Sequence, residues 1–412
     1  MRKLISFSIL MLTLALFFSQ NSYGQITVSG SNGQDGTYTT FTTATTGVFA
    51  KLNGTSQAGK TITITITASV TTEPGTTALT GAAGMWTSLL IYPTVTGLTI
   101  SSTVAGAPLI NLSGANYVTI NGSVGGNGSS PDLIISNLST SSTAPTSTIQ
   151  FINDASNNTV KYCSIKGAST STGTGTINFS TGVTNGNDNN TIDHCNVCGV
   201  SSTTTPVNCI NAVGSTTTTA IYNDNCVISN CNIYDYYSTT LAVRGTNIGV
   251  GNSGWTVTGN SFYQTVSRTS FNAVVQFLAF TPTGNTVGFT VTNNYFGGTQ
   301  AQCAGTPYTF TGGGTSGELR SVIFSTNNTA GLYNTFQGNV FKNINFASTY
   351  SSTNIECLLQ TNNGNMIISN NLFGDSTGTS TITVSFGSSA SFAAMCPGHG
   401  GTGIDTVKNN VV

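Results

Sequence analysis

Val160-Lys161-Tyr162-Cys163-Ser164-Ile165 reads apolar–x–x–Cys–x–apolar, and the same phrase, with Asn or Cys in fourth place, returns down the chain. Its copies are Ile192…Cys195…Val197, Ile228…Cys231…Ile233, Val257…Asn260…Phe262, Val291…Asn294…Phe296, Phe336…Asn339…Phe341, Ile368…Asn371…Phe373 and Val407…Asn410…Val412. A weaker copy, Val118…Asn121…Ser123, precedes them. Successive Asn/Cys positions lie 42, 32, 36, 29, 34, 45, 32 and 39 residues apart. A period of that size marks a solenoid, a propeller or an array, in which each repeat buries its apolar face only against its neighbours.

The local pattern selects among these. Short alternating runs such as Trp255-Thr256-Val257 and Phe289-Thr290-Val291, bounded by Asn and Gly, are strand signals. A propeller blade needs four hairpin-joined strands and carries its own signature, such as Trp-Asp, which the repeat lacks. A parallel β-helix accounts for the phrase. Each coil supplies three short strands, and the Asn/Cys (position zero) stands at a bend between two of them. Asn tolerates the left-handed backbone a bend can demand, and its amide can bond to the Asn above and below. The flanking apolar residues then point inward. Ile165, Val197 and Ile233 form an aliphatic stack, and Phe262, Phe296, Phe341 and Phe373 an aromatic one. Nine coils at about 4.8 Å each make a rod roughly 40 Å long. The Thr-, Ser- and Gly-rich stretches 168–186, 199–219 and 297–317 read as loops between coils, where solenoids tend to place their binding face.

An open solenoid end exposes unpaired strand groups and needs a cap. Residues 25–105 read as that cap with the first strands. A helix is expected within 37–53, with Phe41, Val48, Phe49 and Leu52 apolar, followed by the alternation Thr61 to Thr67 and the run Ser88 to Pro93. Residues 106–412 read as the β-helix, and because Val412 ends on a phrase the natural protein is expected to continue. Residues 1–24 read as a signal peptide. Arg2 and Lys3 precede an apolar stretch to Phe18, and Ser22-Tyr23-Gly24 offers small residues for cleavage before Gln25. The chain is thus expected to be secreted or displayed on the outer cell surface, with no transmembrane segment in its mature part.

Without the leader, 9 basic residues face 12 acidic ones. That excludes a nucleic-acid binder, which needs clustered Lys and Arg. At 38% apolar, with 21 Phe and 14 Tyr, the chain can bury a core. Nine cysteines are present, but Cys195-Asn196-Val197-Cys198 has no second CxxC to complete a zinc site, so no metal and no cofactor is expected. Cys163, Cys195 and Cys231 share position zero and should stack as buried thiols, mostly unpaired.

The segment Gly36-Thr37-Tyr38-Thr39-Thr40-Phe41 leading to Phe49-Ala50-Lys51-Leu52-Asn53, the run Pro108-Leu109-Ile110-Asn111-Leu112 into Tyr117-Val118-Thr119-Ile120-Asn121-Gly122, and the coil starts Asn157-Asn158-Thr159-Val160 and Asn189-Asn190-Thr191-Ile192 resemble secreted right-handed parallel β-helix proteins of Gram-negative bacteria, in the pectate-lyase-like superfamily. The resemblance covers most of residues 26–412. It implies the fold and an exported setting, but it says little about activity, since this fold hosts lyases, hydrolases, adhesins and passive spacers.

Catalysis on polysaccharides would need convergent carboxylates, or a base with a nearby cation. The densest ionisable group is Asp193, His194, Asp224, Asp235 and Arg244, with Asp193 in an outward, solvated place. Gly398-His399-Gly400 matches a polygalacturonase element, but the paired-Asp and Asn-Thr-Asp elements that accompany it are lacking, so His399 reads as a loop residue. Arg268 and Arg320 read as surface groups. Tyr234, Tyr236 and Tyr237 are candidates for stacking on sugar rings. The expected function is a non-enzymatic, adhesin-like or glycan-contacting surface protein, with a polysaccharide or cell-surface glycan as partner. The alternative, a polysaccharide lyase or glycoside hydrolase, requires Asp193, Asp224, Asp235 and Arg244 to converge. A third idea, ice binding through a threonine array, is not expected: Thr61, Thr63, Thr65 and Thr67 lie along one strand, and the phrase has no fixed outward Thr-x-Thr.

Overall fold

A strand of three to six residues that alternates apolar with polar can bury only one face, and stacking such strands in parallel buries that face continuously. The computed structural model, which describes residues 24–412 apart from 272, 285–286, 313–316, 328–330, 349–353, 363, 376–380, 386–390 and 399–403, realises this as a parallel β-helix. The expected leader lies outside the described residues as far as residue 23. Each coil runs through three sheets. In one coil Thr191–Asp193 lies in sheet A, Asn196–Gly199 in sheet B and Asn208–Ala212 in sheet C, before Val227–Ser229 re-enters sheet A one step down. Among the described residues sheet A has 13 strands, while sheets B and C have nine each, matching the expected nine coils. Parallel pairing in sheet A begins at Thr61–Ile66 with Ser88–Pro93. Above it Ile26–Ser29 pairs antiparallel, and the helix Val48–Asn53 buries Val48, Phe49 and Leu52.

The inward columns follow the phrase. In sheet A, Val160, Ile192, Ile228, Val257, Val291, Phe336, Ile368 and Val407 are in register. In sheet B, Ile165, Val197, Ile233, Phe262, Phe296, Phe341 and Phe373 form one column, aliphatic above and aromatic below. The phenylalanines stack with centroids 4.6 to 5.0 Å apart.

Position zero is a hydrogen-bonding post. Asn294 Nδ2 donates to Val257 O (2.9 Å) and to Asn339 Oδ1 (3.0 Å), and its own Oδ1 accepts the backbone N–H of Asn260 (3.0 Å). Asn260, Asn339 and Asn371 repeat the arrangement. Cysteine fits the same post. Cys195 Sγ and Cys231 Sγ donate to Val160 O and Ile192 O at 3.5 Å, the carbonyls an Asn amide would reach. The Cys195 N–H donates to Cys231 Sγ at 3.4 Å, and the Cys231 N–H to Asn260 Oδ1 at 2.8 Å, so the ladder passes from thiol to amide without a break. All nine cysteines are unpaired, and only Cys396 is not buried. The Cys195–Cys198 pair is split, Cys195 at the bend and Cys198 on the outer side of sheet B.

Four details correct the sequence reading. First, the left-handed residue is the one before position zero: Tyr162, His194, Asn230, Asn293, Asn370 and Asn409 have φ between 50 and 57°, and Gly259 and Gly338 have 68 and 67°. In Asn293-Asn294 the first amide residue therefore turns the chain and the second holds the ladder. Second, the weak first copy is misaligned by two. Val160 pairs with Ile120 and Lys161 with Asn121, whereas Cys163 and Ile165 pair with Leu133 and Ile135, so Asn121 is not at position zero and residues 122–132 bulge out before sheet B resumes at Leu133–Asn137. Third, the supposed loops contain strands. Ile177–Phe179 and Asn208–Ala212 belong to sheet C, and Tyr308–Gly312 joins a fourth sheet with Arg268–Phe271, Ile344–Ser348 and Ile382–Ser385, which widens the lower coils between sheets B and C. Fourth, the outer side of sheet A does carry threonines in register. One file runs Thr63, Leu90, Thr119, Thr159, Thr191, Val227, Thr256, Thr290, Thr335, Ile367 and Thr406.

The separate roles at the bend predict opposite responses to mutation. Asn294→Ala leaves the Asn260 N–H and Val257 O buried without their partner and should cost on the order of 3 kcal/mol in urea unfolding. Asn293→Gly should stay within about 1 kcal/mol of the parent, whereas Asn293→Val should lose about 1–2 kcal/mol because a β-branched residue resists the left-handed region. Equal losses at the two positions would refute the assignment.

Candidate functional site

Side chains between two core positions on a strand point outward, and on sheets A and B such residues are mostly half-exposed. Sheet C differs. Gln150, Asn178 and Asn211 each sit between two core residues, yet they are only 3, 4 and 1% exposed. The long connections 138–146, 168–176 and 200–207 join these strands to sheet B, and 180–190 and 213–226 join them to sheet A. The outer side of sheet C is thus a recessed strip. Along it Asn247 Nδ2 donates to Asn211 Oδ1 (2.9 Å) and Asn211 Nδ2 to Asn178 Oδ1 (3.0 Å). Above this amide ladder, Gln150 Oε1 and Asn111 Oδ1 are buried acceptors with no protein donor. Below it the file turns apolar, through Ala279, Ile323 and Leu359 to Cys396.

Charges line the same strip. Arg244 is paired in register with Asn208 and Gln276 and donates from Nε to Gln276 Oε1 at 2.7 Å. Burial lowers its pKa. Further down, Arg320 reaches Glu318 at 3.0 Å and Glu356 at 3.5 Å. Burial pushes the Glu356 carboxyl up, against the pull of Arg320 and with a further push from Glu318. Arg320 is therefore a half-covered member of an ion cluster rather than an isolated surface group.

The acids singled out in the sequence do not share this strip. Asp193 stands on the outer side of sheet A, where it accepts from Ser229 Oγ (2.6 Å), Asn230 Nδ2 (3.1 Å) and His194 Nδ1 (2.8 Å). Burial pushes its carboxyl up, but these bonds outweigh burial and hold it below the usual range. Asp224 lies in a two-stranded ribbon, Asn223–Asp224 with Asn252–Ser253. Its N–H donates to Asp188 Oδ1 at 2.8 Å, and its own Oδ1 is buried without a partner. Burial raises Asp188 and Asp224 each to about 6, and Asp188 adds repulsion on Asp224. Asp235 is buried beyond sheet B. Its Oδ1 lies 3.0 Å from Arg268 Nη2, and both its oxygens accept from Thr265. Of the four residues, Arg244 alone faces the strip. His399 lies outside the described residues.

Arg268 also corrects the sequence reading, because it is 5% exposed. It donates to Gln264 Oε1 (2.7 Å) and Ser202 O (2.6 Å), and lies over the Tyr237 ring at 5.0 Å. It thereby closes the upper edge of the fourth sheet, which starts at Arg268. Tyr236 is a fully buried core residue, and Tyr234 stacks on Tyr263 at 4.8 Å, so a face a sugar would need is already covered. Among the described residues no three His, Cys, Asp or Glu gather to hold a metal ion, and no helix is long and apolar enough to cross a membrane.

Two measurements check these assignments. Removing one partner of a buried ion pair costs about 3–5 kcal/mol, so Arg268→Met should destabilise by that order, and Asp235→Leu/Arg268→Met should recover part of the loss. Asp188 and Asp224 bind protons more tightly folded than unfolded. Their contribution is full below about pH 4 and is lost as pH rises through about 6. Asp224→Asn should therefore flatten the fall in melting temperature between pH 4 and 7, and unchanged slopes would contradict the pairing.

Comparison with protein-family models, with curated proteins and with solved structures gives no match, so the functional argument rests on the geometry of the coils.

Proposed function

We propose that the chain is an exported, non-enzymatic β-helix surface protein that contacts glycans along the recessed strip of sheet C. The observation that carries this reading is the amide ladder Asn178–Asn211–Asn247, continued by the unpartnered acceptors of Gln150 and Asn111. Amides combine donors and acceptors and match sugar hydroxyls, and Asn111 and Asn247 are the half-exposed members of this file that a ligand can reach. The strip runs along the rod axis with a repeat of about 4.8 Å, which suits an extended chain rather than a small molecule. The resemblance to pectate-lyase-like secreted proteins, a signal peptide over residues 1–24 and a capping role for the region above the first coils belong to the same proposal.

The second reading, a polysaccharide lyase or hydrolase, is favoured by one feature of this strip. Glu356 has a raised carboxyl beside Arg320 and Glu318, an acid next to a cation.

A glycan array followed by calorimetry separates the two readings. The proposal expects a neutral or weakly charged polysaccharide to bind without being shortened, and Asn247→Ala, at the half-exposed end of the ladder, to weaken that binding at a cost in stability of about 1–3 kcal/mol for the lost bond to Asn211. Depolymerisation that Glu356→Gln abolishes would establish the second reading instead.

A further inference from the structure

We infer that Arg244 is an anion subsite of the sheet C strip, so that the glycan lying there carries a negatively charged substituent, a carboxylate or a sulfate ester. The inference rests on the glycan reading of the strip and adds to it the class of sugar. Arg244 stands on the strand Val243–Ile248, in register between Asn208 above and Gln276 below. Its Nε donates to Gln276 Oε1 at 2.7 Å, and Gln276 is itself buried, so one edge of the guanidinium is held in place. No other hydrogen bond engages it among the described residues, and neither terminal nitrogen is sealed from solvent. All 12 acids of the chain are among the described residues, and the arginines they pair with are Arg268 and Arg320, not Arg244.

A guanidinium drawn out of water keeps its charge, and its lost hydration is offset where an opposite charge meets it. Asp235 does this for Arg268, and Glu318 and Glu356 do it for Arg320. Arg244 has given up hydration without such a partner: burial lowers its pKa, and no carboxylate raises it. Its free Nη1–Nη2 edge is a planar fork that takes two oxygens of one carboxylate or sulfate. Three residues along the same strand, about 10 Å away, stands Asn247, the last amide of the ladder. Its Nδ2 is bonded to Asn211 and the next place in its file is Ala279, so its Oδ1 is left to accept a sugar hydroxyl. A chain lying over the amide file therefore directs a side substituent toward Arg244. Farther down, Arg320 faces two carboxylates, so the lower strip has no cation to spare. A sparsely charged polysaccharide fits this layout, and a dense polyanion does not.

The test is calorimetry of the purified protein at low salt with three polymers of one backbone: hydroxyethyl cellulose, which is neutral, and sparsely substituted carboxymethyl cellulose and cellulose sulfate. The charged polymers should bind about tenfold more tightly than the neutral one, and added salt should erode that preference. Arg244→Gln should bring the charged polymers down to the neutral level and leave the neutral one unchanged, whereas Lys161→Gln, on the outer side of sheet A, should change nothing. The tighter of the two charged polymers tells carboxylate from sulfate. If Arg244→Gln does not fold, phenylglyoxal labelling of the parent, read by peptide mass spectrometry, replaces it: the charged polymers should protect Arg244 and the neutral one should not. Equal binding of the three polymers, a preference that survives Arg244→Gln, or an unprotected Arg244 overturns the inference and leaves the glycan reading in place. A parent that binds none of the three also overturns it, and the glycan reading falls as well only if the array too is empty.

Discussion

The bend between sheets A and B is where this fold is decided. A chain that turns inside a stack cannot leave its backbone groups to water, and each buried, unpaired group would cost about 1–3 kcal/mol. The side chain at position zero supplies the missing partners. It donates to a carbonyl of the coil above, and its oxygen or sulfur accepts the backbone N–H of that same coil's bend. Every coil thus needs the one below it at a fixed register. A slip of one residue would turn core side chains outward and also break two bonds at the corner. Cysteine serves in the upper coils because a thiol can make both contacts, more weakly, while staying compatible with an apolar column.

The same constraint divides the molecule into unlike faces. At most two residues, the left-handed one and position zero, separate the strands of sheets A and B where the ladder holds, so insertions have no room at that corner. The exception, residues 122–132, occurs where Leu133, neither Asn nor Cys, pairs with Cys163. Insertions collect at the ends of sheet C, whose outward Gln150, Asn178 and Asn211 are buried, while sheet A keeps its register without a shift. The fourth sheet enters at Arg268, on the wall between B and C, and a buried ion pair with Asp235 secures its exposed upper edge. A recessed, amide-lined strip on sheet C and a half-exposed outer side on sheet A are therefore two results of one turn geometry.

Much of this was legible in the sequence because the phrase combines a core pattern with a polar residue that has no place in a core unless it is bonded. Val257, Asn260 and Phe262 announce their positions together, and the aromatic column followed directly. What stayed hidden depends on partners from other coils. Ile177–Phe179 and Asn208–Ala212 lie in runs of Thr, Ser, Asn and Gly whose composition reads as loop, and only neighbouring coils make them strands. Thr256 and Thr290 sit four residues before position zero, but gaps of 29 to 45 residues hide that they are neighbours. Arg268 looks like any surface arginine until Ser202, Asp235 and Gln264 close around it. The acids of the candidate site failed to converge for the same reason, since closeness in sequence does not say which sheet a residue faces.

The central claim is that the side chain at position zero, rather than water or a neighbouring strand, satisfies the backbone at the bend. Residue-resolved hydrogen exchange of the Cys231, Asn260, Asn294 and Asn339 amides tests it most directly, since each donates to a buried side chain of the following coil. The account predicts that these amides exchange as slowly as those of the sheet A strands beside them. Exchange at the rate of the surface loops would show that the bends are open to solvent and that the ladder does not hold the coils in register.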